Sequence, residues 1–213
     1  MRVGLVKAAL LHAGLLAALC VAPSPAASAA PVDDAIALYR QRRYDEARAA
    51  LESLVASDPS NAAACYYLAM TFQRVAAPSL DSARTWLAKA VRLAPGNEVY
   101  LAEYAGVTML MAGRDNSFTL AMEGRDAMAK AVAMNPSDIN ACEELMRFCA
   151  RAPWPLGSPD KALALADQIA KLDRKRGLAA YRLIGDLFEK EGRTKEALSA
   201  SQAVQSLARP DAK

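Results

Sequence analysis

Three times this sequence ends a helix in the same way. Residues 55–61 read Val-Ala-Ser-Asp-Pro-Ser-Asn, residues 91–97 read Val-Arg-Leu-Ala-Pro-Gly-Asn, and residues 132–138 read Val-Ala-Met-Asn-Pro-Ser-Asp. In each copy the proline cannot continue the helix, and the Asn or Asp two residues later is suited to cap the next one. Pro59, Pro95 and Pro136 stand 36 and 41 residues apart, a spacing that marks repeated helical units rather than one mixed fold. Twelve residues before each proline is a small residue, Ala47, Ala83 or Gly124, followed at offsets of four and seven by Leu51 and Leu54, Leu87 and Ala90, or Met128 and Ala131. Those offsets fall on one face of a helix. The pattern continues without its proline at Ala162, Ala166 and Ile169, and again at Ala197, Ser201 and Val204.

Between these helices lie others with a stripe spaced three, one and three: Cys65, Leu68, Ala69, Phe72; Leu101, Tyr104, Ala105, Thr108; Cys142, Leu145, Met146, Cys149; Tyr181, Ile184, Gly185, Phe188. The fourth set, with Gly192 and Lys195-Glu196-Ala197 after it, and the opening Tyr44-Asp45-Glu46-Ala47 with Pro59, carry a resemblance to the tetratricopeptide repeat family. The resemblance covers nearly all of residues 30–213, as five units starting near residues 31, 62, 98, 139 and 178. It implies an all-α, right-handed solenoid of about five antiparallel helix pairs with a concave side. The second, third and fourth units carry extra residues between their two helices. In the third, the segment from Gly113 to Ser117 is either a loop or absorbed by a lengthened helix, and Gly124, where the family prefers alanine, makes its second helix the least secure. The 48 alanines among 213 residues suit both roles this architecture needs, helix former and spacer between close helices.

Residues 1–29 have the layout of a secretory signal peptide: Arg2 and Lys7, an apolar run from Ala8 to Ala22, and Ala27-Ser28-Ala29 as cleavage site. The run is shorter than the ~20 residues of a spanning helix, although an uncleaved anchor is the rival reading. Leu19 before Cys20 disfavours a lipid-attachment signal. The reading places the protein in the periplasm or outside the cell, with no membrane insertion after cleavage. Cleavage removes His12, the single histidine, and lowers the net charge from +3 to +1. A near-neutral chain offers no basic surface for nucleic acid.

Without histidine there is no imidazole-based catalytic pair or metal site, and the sequence contains no glycine-rich phosphate loop, so no enzyme activity, cofactor or metal is expected. Cys65, Cys142 and Cys149 occupy inward stripe positions and are expected to be buried, reduced thiols. The acid pairs Asp33-Asp34 and Glu143-Glu144 read as solvated charges, and the methionines at 109, 111, 122, 128, 134 and 146 as core filling. The loop Ala152-Pro153-Trp154-Pro155-Leu156-Gly157-Ser158-Pro159 is stiffened by three prolines; Trp154 either folds back on the core with Leu156 or is an exposed partner contact. In the resembled family the first helix of each unit lines the concave groove. Carried over, the groove residues are Tyr39 and Arg40; Tyr66, Met70 and Arg74; Ala102, Gly106 and Met109; Glu143, Arg147 and Arg151; Arg182, Asp186 and Glu189. The implied function is binding of a protein or peptide partner in the cell envelope, with Arg147, Arg151 and Arg182 reading an acidic group. An accessory subunit of a transport or assembly system and a small-ligand-binding solenoid remain alternatives.

Overall fold

The computed structural model describes residues 26–75 and 78–208, with side chains from residue 31 onward. Among them run ten helices and no strand: α1 (Ala26–Arg40), α2 (Tyr44–Ser57), α3 (Ala62–Phe72), α4 (Leu80–Leu93), α5 (Glu98–Asp115), α6 (Phe118–Met134), α7 (Ile139–Arg151), α8 (Pro159–Leu172), α9 (Arg174–Lys190) and α10 (Thr194–Ala208). Of the expected leader, residues 1–25 lie outside the described residues, and the backbone of 26–29 forms the first turn of α1.

The helix boundaries follow the punctuation of the sequence. Asn61 accepts a hydrogen bond from the Ala64 amide at 2.9 Å, Asn97 from the Tyr100 amide at 3.1 Å, and Asp138 from the Asn140 and Ala141 amides at 2.9 and 3.2 Å. Each cap satisfies amides that the first turn leaves without an intrahelical partner. Ser79, Ser117 and Ser158 start α4, α6 and α8 in the same way. The fifth unit begins earlier than the spacing predicts. Asp173 both ends α8 and caps α9, so α9 starts at Arg174 and no proline is needed at that junction.

Consecutive helices pack along the chain, pairing as α1/α2, α3/α4, α5/α6, α7/α8 and α9/α10. The repeated stripes supply the contact: Ala47, Leu51, Ala83, Leu87, Ala162, Ala166 and Ile169 are fully buried, as are Cys65, Leu68, Ala69, Cys142 and Ile184. A buried Leu or Ile contributes about 1.5–3 kcal/mol, and no unit can bury these faces without its neighbours. The last helix departs from the pattern. Ser201 is exposed and Ala200 takes the buried place, and among the described residues no helix covers the outer side of α10.

Extra residues in the third unit lengthen its helices. Helix α5 runs 18 residues and α6 17, joined at Asn116 in the left-handed conformation (φ 48°) and the cap Ser117. The sixth helix is intact at Gly124, where the sequence made it least secure. A Cβ there would lie 2.6 Å from Met109 Cγ and 3.2 Å from the Ala105 carbonyl oxygen, so glycine is what lets α6 lie directly against the α5 backbone. Core filling holds for Met111, Met128 and Met146 but not for Met122 and Met134, which are exposed because α6 turns that side to solvent.

Candidate functional site

The solenoid is not evenly stacked. On the side formed by the odd-numbered helices, α1 lies against α3 and α7 against α9, whereas neither α3 and α5 nor α5 and α7 are packed together in this way. The long α5/α6 pair meets the next unit mainly through α6 and α7, and a groove opens between α5 and α7. It contains three cavities that share lining residues. The first, of about 380 Å³, lies between Ala102, Glu103, Gly106 and Leu110 of α5 and Asn140, Ala141 and Glu144 of α7. The second, about 350 Å³, is lined by Gly106, Met109, Leu110, Glu144, Arg147, Phe148 and Arg151. The third, about 320 Å³, lies between Met109, Phe118, Phe148, Pro153 and Leu156. Small residues at 102 and 106 create the depth: a Cβ at Gly106 would meet only Glu144 Oε2, at 3.8 Å.

Charge is unevenly distributed along this groove. Glu103 is partly buried, and burial, reinforced by the Glu144 carboxylate, raises its pKa above the ordinary value although Arg74 opposes the shift. Arg147 does not neutralise these acids, since its guanidinium donates to Glu143 Oε2 at 2.9 Å. Glu143 also accepts from Arg176 Nε at 2.9 Å, and Arg176 reaches Asn140 Oδ1 at 2.7 Å. Glu143 is therefore a tie between α7 and α9 with its side chain only 16% exposed, which corrects its reading as a solvated helix-start charge.

The expected groove residues do not all gather at one place. Met109, Arg147 and Arg151 share one cavity. Tyr39 and Tyr66 lie nearer the N-terminal end in a chain of rings: Tyr39 and Tyr67 at 5.5 Å, Tyr66 and Tyr67 at 5.1 Å, and Tyr66 stacked on Tyr100 at 4.5 Å. Burial raises the pKa of both Tyr39 and Tyr66, with Arg74 opposing it at Tyr39 and Glu103 adding to it at Tyr66. Met70 is buried, its sulfur accepting from Gln73 Nε2 at 3.4 Å, so it lies in the floor rather than at the surface. Arg182 and Asp186 are exposed on α9 and line none of the three cavities, so the expected trio of Arg147, Arg151 and Arg182 is not gathered at one point. Sequence reasoning missed Glu103, Glu144 and Phe148. The first had a signal, because Glu103 stands three residues before Gly106 on one helix face.

In the loop after α7, Leu156 is buried while Trp154 is 88% exposed, so of the two readings of Trp154 the structure has the exposed one, and Leu156 alone folds back. The loop is held by its own backbone: Ser158 N donates to Cys149 O at 2.9 Å, and Leu156 N and Gly157 N donate to Pro153 O. Cys65, Cys142 and Cys149 are buried and unpaired, and burial raises each thiol above its ordinary pKa. Among the described residues no group of three or more His, Cys, Asp or Glu is placed to hold a metal ion, and no helix is long and apolar enough to cross a membrane.

Residues 32–98 match the sequence model of the tetratricopeptide repeat. No curated protein matches the chain by sequence. Among solved structures the chain is similar to YrrB, described as a TPR protein with an unusual peptide-binding site, at 18% identity over 87% of this chain and 88% of that one, with a TM-score of 0.67. It is similar to MamA at 18% identity over 84% of this chain and 91% of that one, also with a TM-score of 0.67. The O-GlcNAc transferase of Thermobaculum terrenum is similar at 20% identity and a TM-score of 0.57, over 68% of this chain but 26% of the enzyme. At these identities the likeness is one of fold, an all-α solenoid of stacked antiparallel helix pairs.

Proposed function

Because this chain belongs to the tetratricopeptide repeat family, we propose that it is a protein-binding module of the bacterial cell envelope, holding a segment of a partner protein on its concave face between α5 and α7. The observation that carries this reading is the continuous groove where α5 and α7 stand apart, floored by Gly106 and open along three adjoining cavities. YrrB, similar in fold, has a peptide-binding site, which supports the reading by analogy. The envelope location is supported by the layout of residues 1–29, a basic start, an apolar run and a small-residue cleavage site.

Gly106→Phe tests the groove. A Cβ has room at this position, and Gly106 lines the first two cavities, so the variant is expected to fold with its ring obstructing the groove. Retention of a partner from envelope extract on immobilised protein should fall while the thermal melt stays that of wild type; equal retention would refute the groove as the binding surface. Cell fractionation with sequencing of the mature N-terminus checks the location: a chain starting at Ala30 in the envelope fraction is expected, and a chain retaining residues 1–29 in the cytoplasm counts against it.

A further inference from the structure

We propose that the groove's occupant is a partner segment that sets a lysine or arginine between Glu103 and Glu144 and, about four residues away, a large apolar side chain against Phe118, Phe148 and Leu156. The proposal rests on the groove reading above and names the chemistry of what fills it.

The first argument is charge complementarity. The titratable groups lining the first cavity are Glu103, Asp138 and Glu144, with no lysine or arginine among them. Asp138 is engaged by the Asn140 and Ala141 amides. Glu103 and Glu144 have no hydrogen bond or ion pair among the described residues: Arg74 acts on Glu103 only through its field, without an ion pair, and Arg147, farther along the groove, is taken by Glu143. Two carboxylates facing one cavity repel each other, and the burial of Glu103 adds to the cost of its charge. An incoming ammonium or guanidinium relieves both and makes charge-assisted hydrogen bonds. At the opposite end no charged side chain lines the third cavity, and Phe118 beside it is 52% exposed. Arg151 lies between, exposed and without an ion pair among the described residues, so it repels a cation placed at the wrong end and gives the groove a direction.

Spacing follows from helix geometry. Glu103 and Ala112, which lines the third cavity, are separated by nine residues of α5, a rise of about 13 Å at ~1.5 Å per residue. An extended peptide advances about 3.3 Å per residue, so about four residues bridge the two ends.

Four nonapeptides test this: GSKASAFGS, the same peptide with Glu for Lys, with Ala for Lys, and with Ala for Phe. Each is titrated into 15N-labelled protein up to about 5 mM, enough to see millimolar binding, reading the Gly106, Leu110 and Phe148 amides. The first peptide is expected to bind at least about tenfold more tightly than its Glu and Ala-for-Lys forms and more tightly than its Ala-for-Phe form. Glu103→Gln/Glu144→Gln should erase the preference for Lys while sparing the effect of Phe. Binding at these amides that favours Glu, or ignores the charge, overturns this proposal and leaves the groove reading intact. No shift at these amides with any of the four peptides overturns both.

Discussion

Gly177→Ala should destabilise the protein even though it replaces glycine with a better helix former. Gly177 lies in the first turns of α9, and a Cβ built on it would be 2.2 Å from Ala170 Cα, 2.3 Å from Ala170 Cβ and 2.7 Å from Ala170 N. Carbon atoms in contact sit about 3.5–4.0 Å apart, so α8 and α9 would have to separate locally by about 1.5 Å. The obstructing atoms are mainly backbone, and no rotamer change moves them aside. Overpacking a tight site costs about 1–3 kcal/mol, the upper end applying here, while Gly to Ala in a helix returns about 1 kcal/mol. The net expectation is a loss of about 2 kcal/mol, which for a chain of this size lowers Tm by about 4–8 °C. Gly113→Ala provides the opposite sign in the same molecule: nothing lies within 4 Å of its Cβ position on α5, so the helix-propensity gain, up to about 1 kcal/mol, is unopposed and Tm rises by a few degrees. Thermal melts by circular dichroism read both variants. A Gly177→Ala protein melting at or above wild type would refute the claim that backbone contact through small residues sets the helix spacing.

Other outcomes follow from the ties between units. Arg84 on α4 reaches Glu123 on α6 at 2.6 Å and the Tyr104 hydroxyl on α5 at 3.1 Å, so Arg84→Ala should cost about 1 kcal/mol, a modest figure because both charged groups are about a third exposed. Burial alone would raise Glu123, but Tyr104 and Arg84 hold it below the ordinary carboxylate value; the Arg84→Ala loss is therefore full at pH 7 and shrinks as pH falls below about 4, seen in denaturant melts against pH. Glu103 has the opposite sign. Its raised pKa makes its charge a penalty that is absent below the ordinary value near pH 4 and complete once pH exceeds the raised one, so Glu103→Gln should melt above wild type at pH 7 and match it near pH 4. Cys65, Cys142 and Cys149 should react slowly with a thiol reagent in the native protein and at once in denaturant; fast native labelling of any of them would contradict their burial. With Trp86 replaced by Phe, emission should come from a solvated Trp154 and be quenched freely by iodide, and Trp154→Ala should leave Tm unchanged.

Periodicity made the helices legible. The prolines at 59, 95 and 136 and the Asn or Asp after each located six helix ends, because both signals act within one turn of the chain. The start of α9 was harder to read, since Asp173 ends one helix and begins the next without a proline. Gly124 looked like a weakness because the family prefers alanine there, and proved to be a packing requirement, a fact held by Met109 and Ala105 on another helix. The groove was legible only in part. Met109, Arg147 and Arg151 followed from the family pattern, but that pattern assumes even stacking, which α5 and α7 do not follow. The opening between them turns Glu103 and Glu144 toward one cavity, and the Glu143 bridge to Arg176 depends on an element 33 residues away. Nothing local in the sequence reports either arrangement.

Site-specific photocrosslinking tests the central claim most directly. One probe replaces Leu110, 60% exposed in the α5–α7 groove, and a second replaces Ala133, exposed on α6 beside a cavity of similar size, about 340 Å³, formed with α8. Irradiation in envelope extract should yield a partner adduct from position 110 and none from position 133. Adducts from 133 alone would place recognition on the other face of the solenoid and contradict the account.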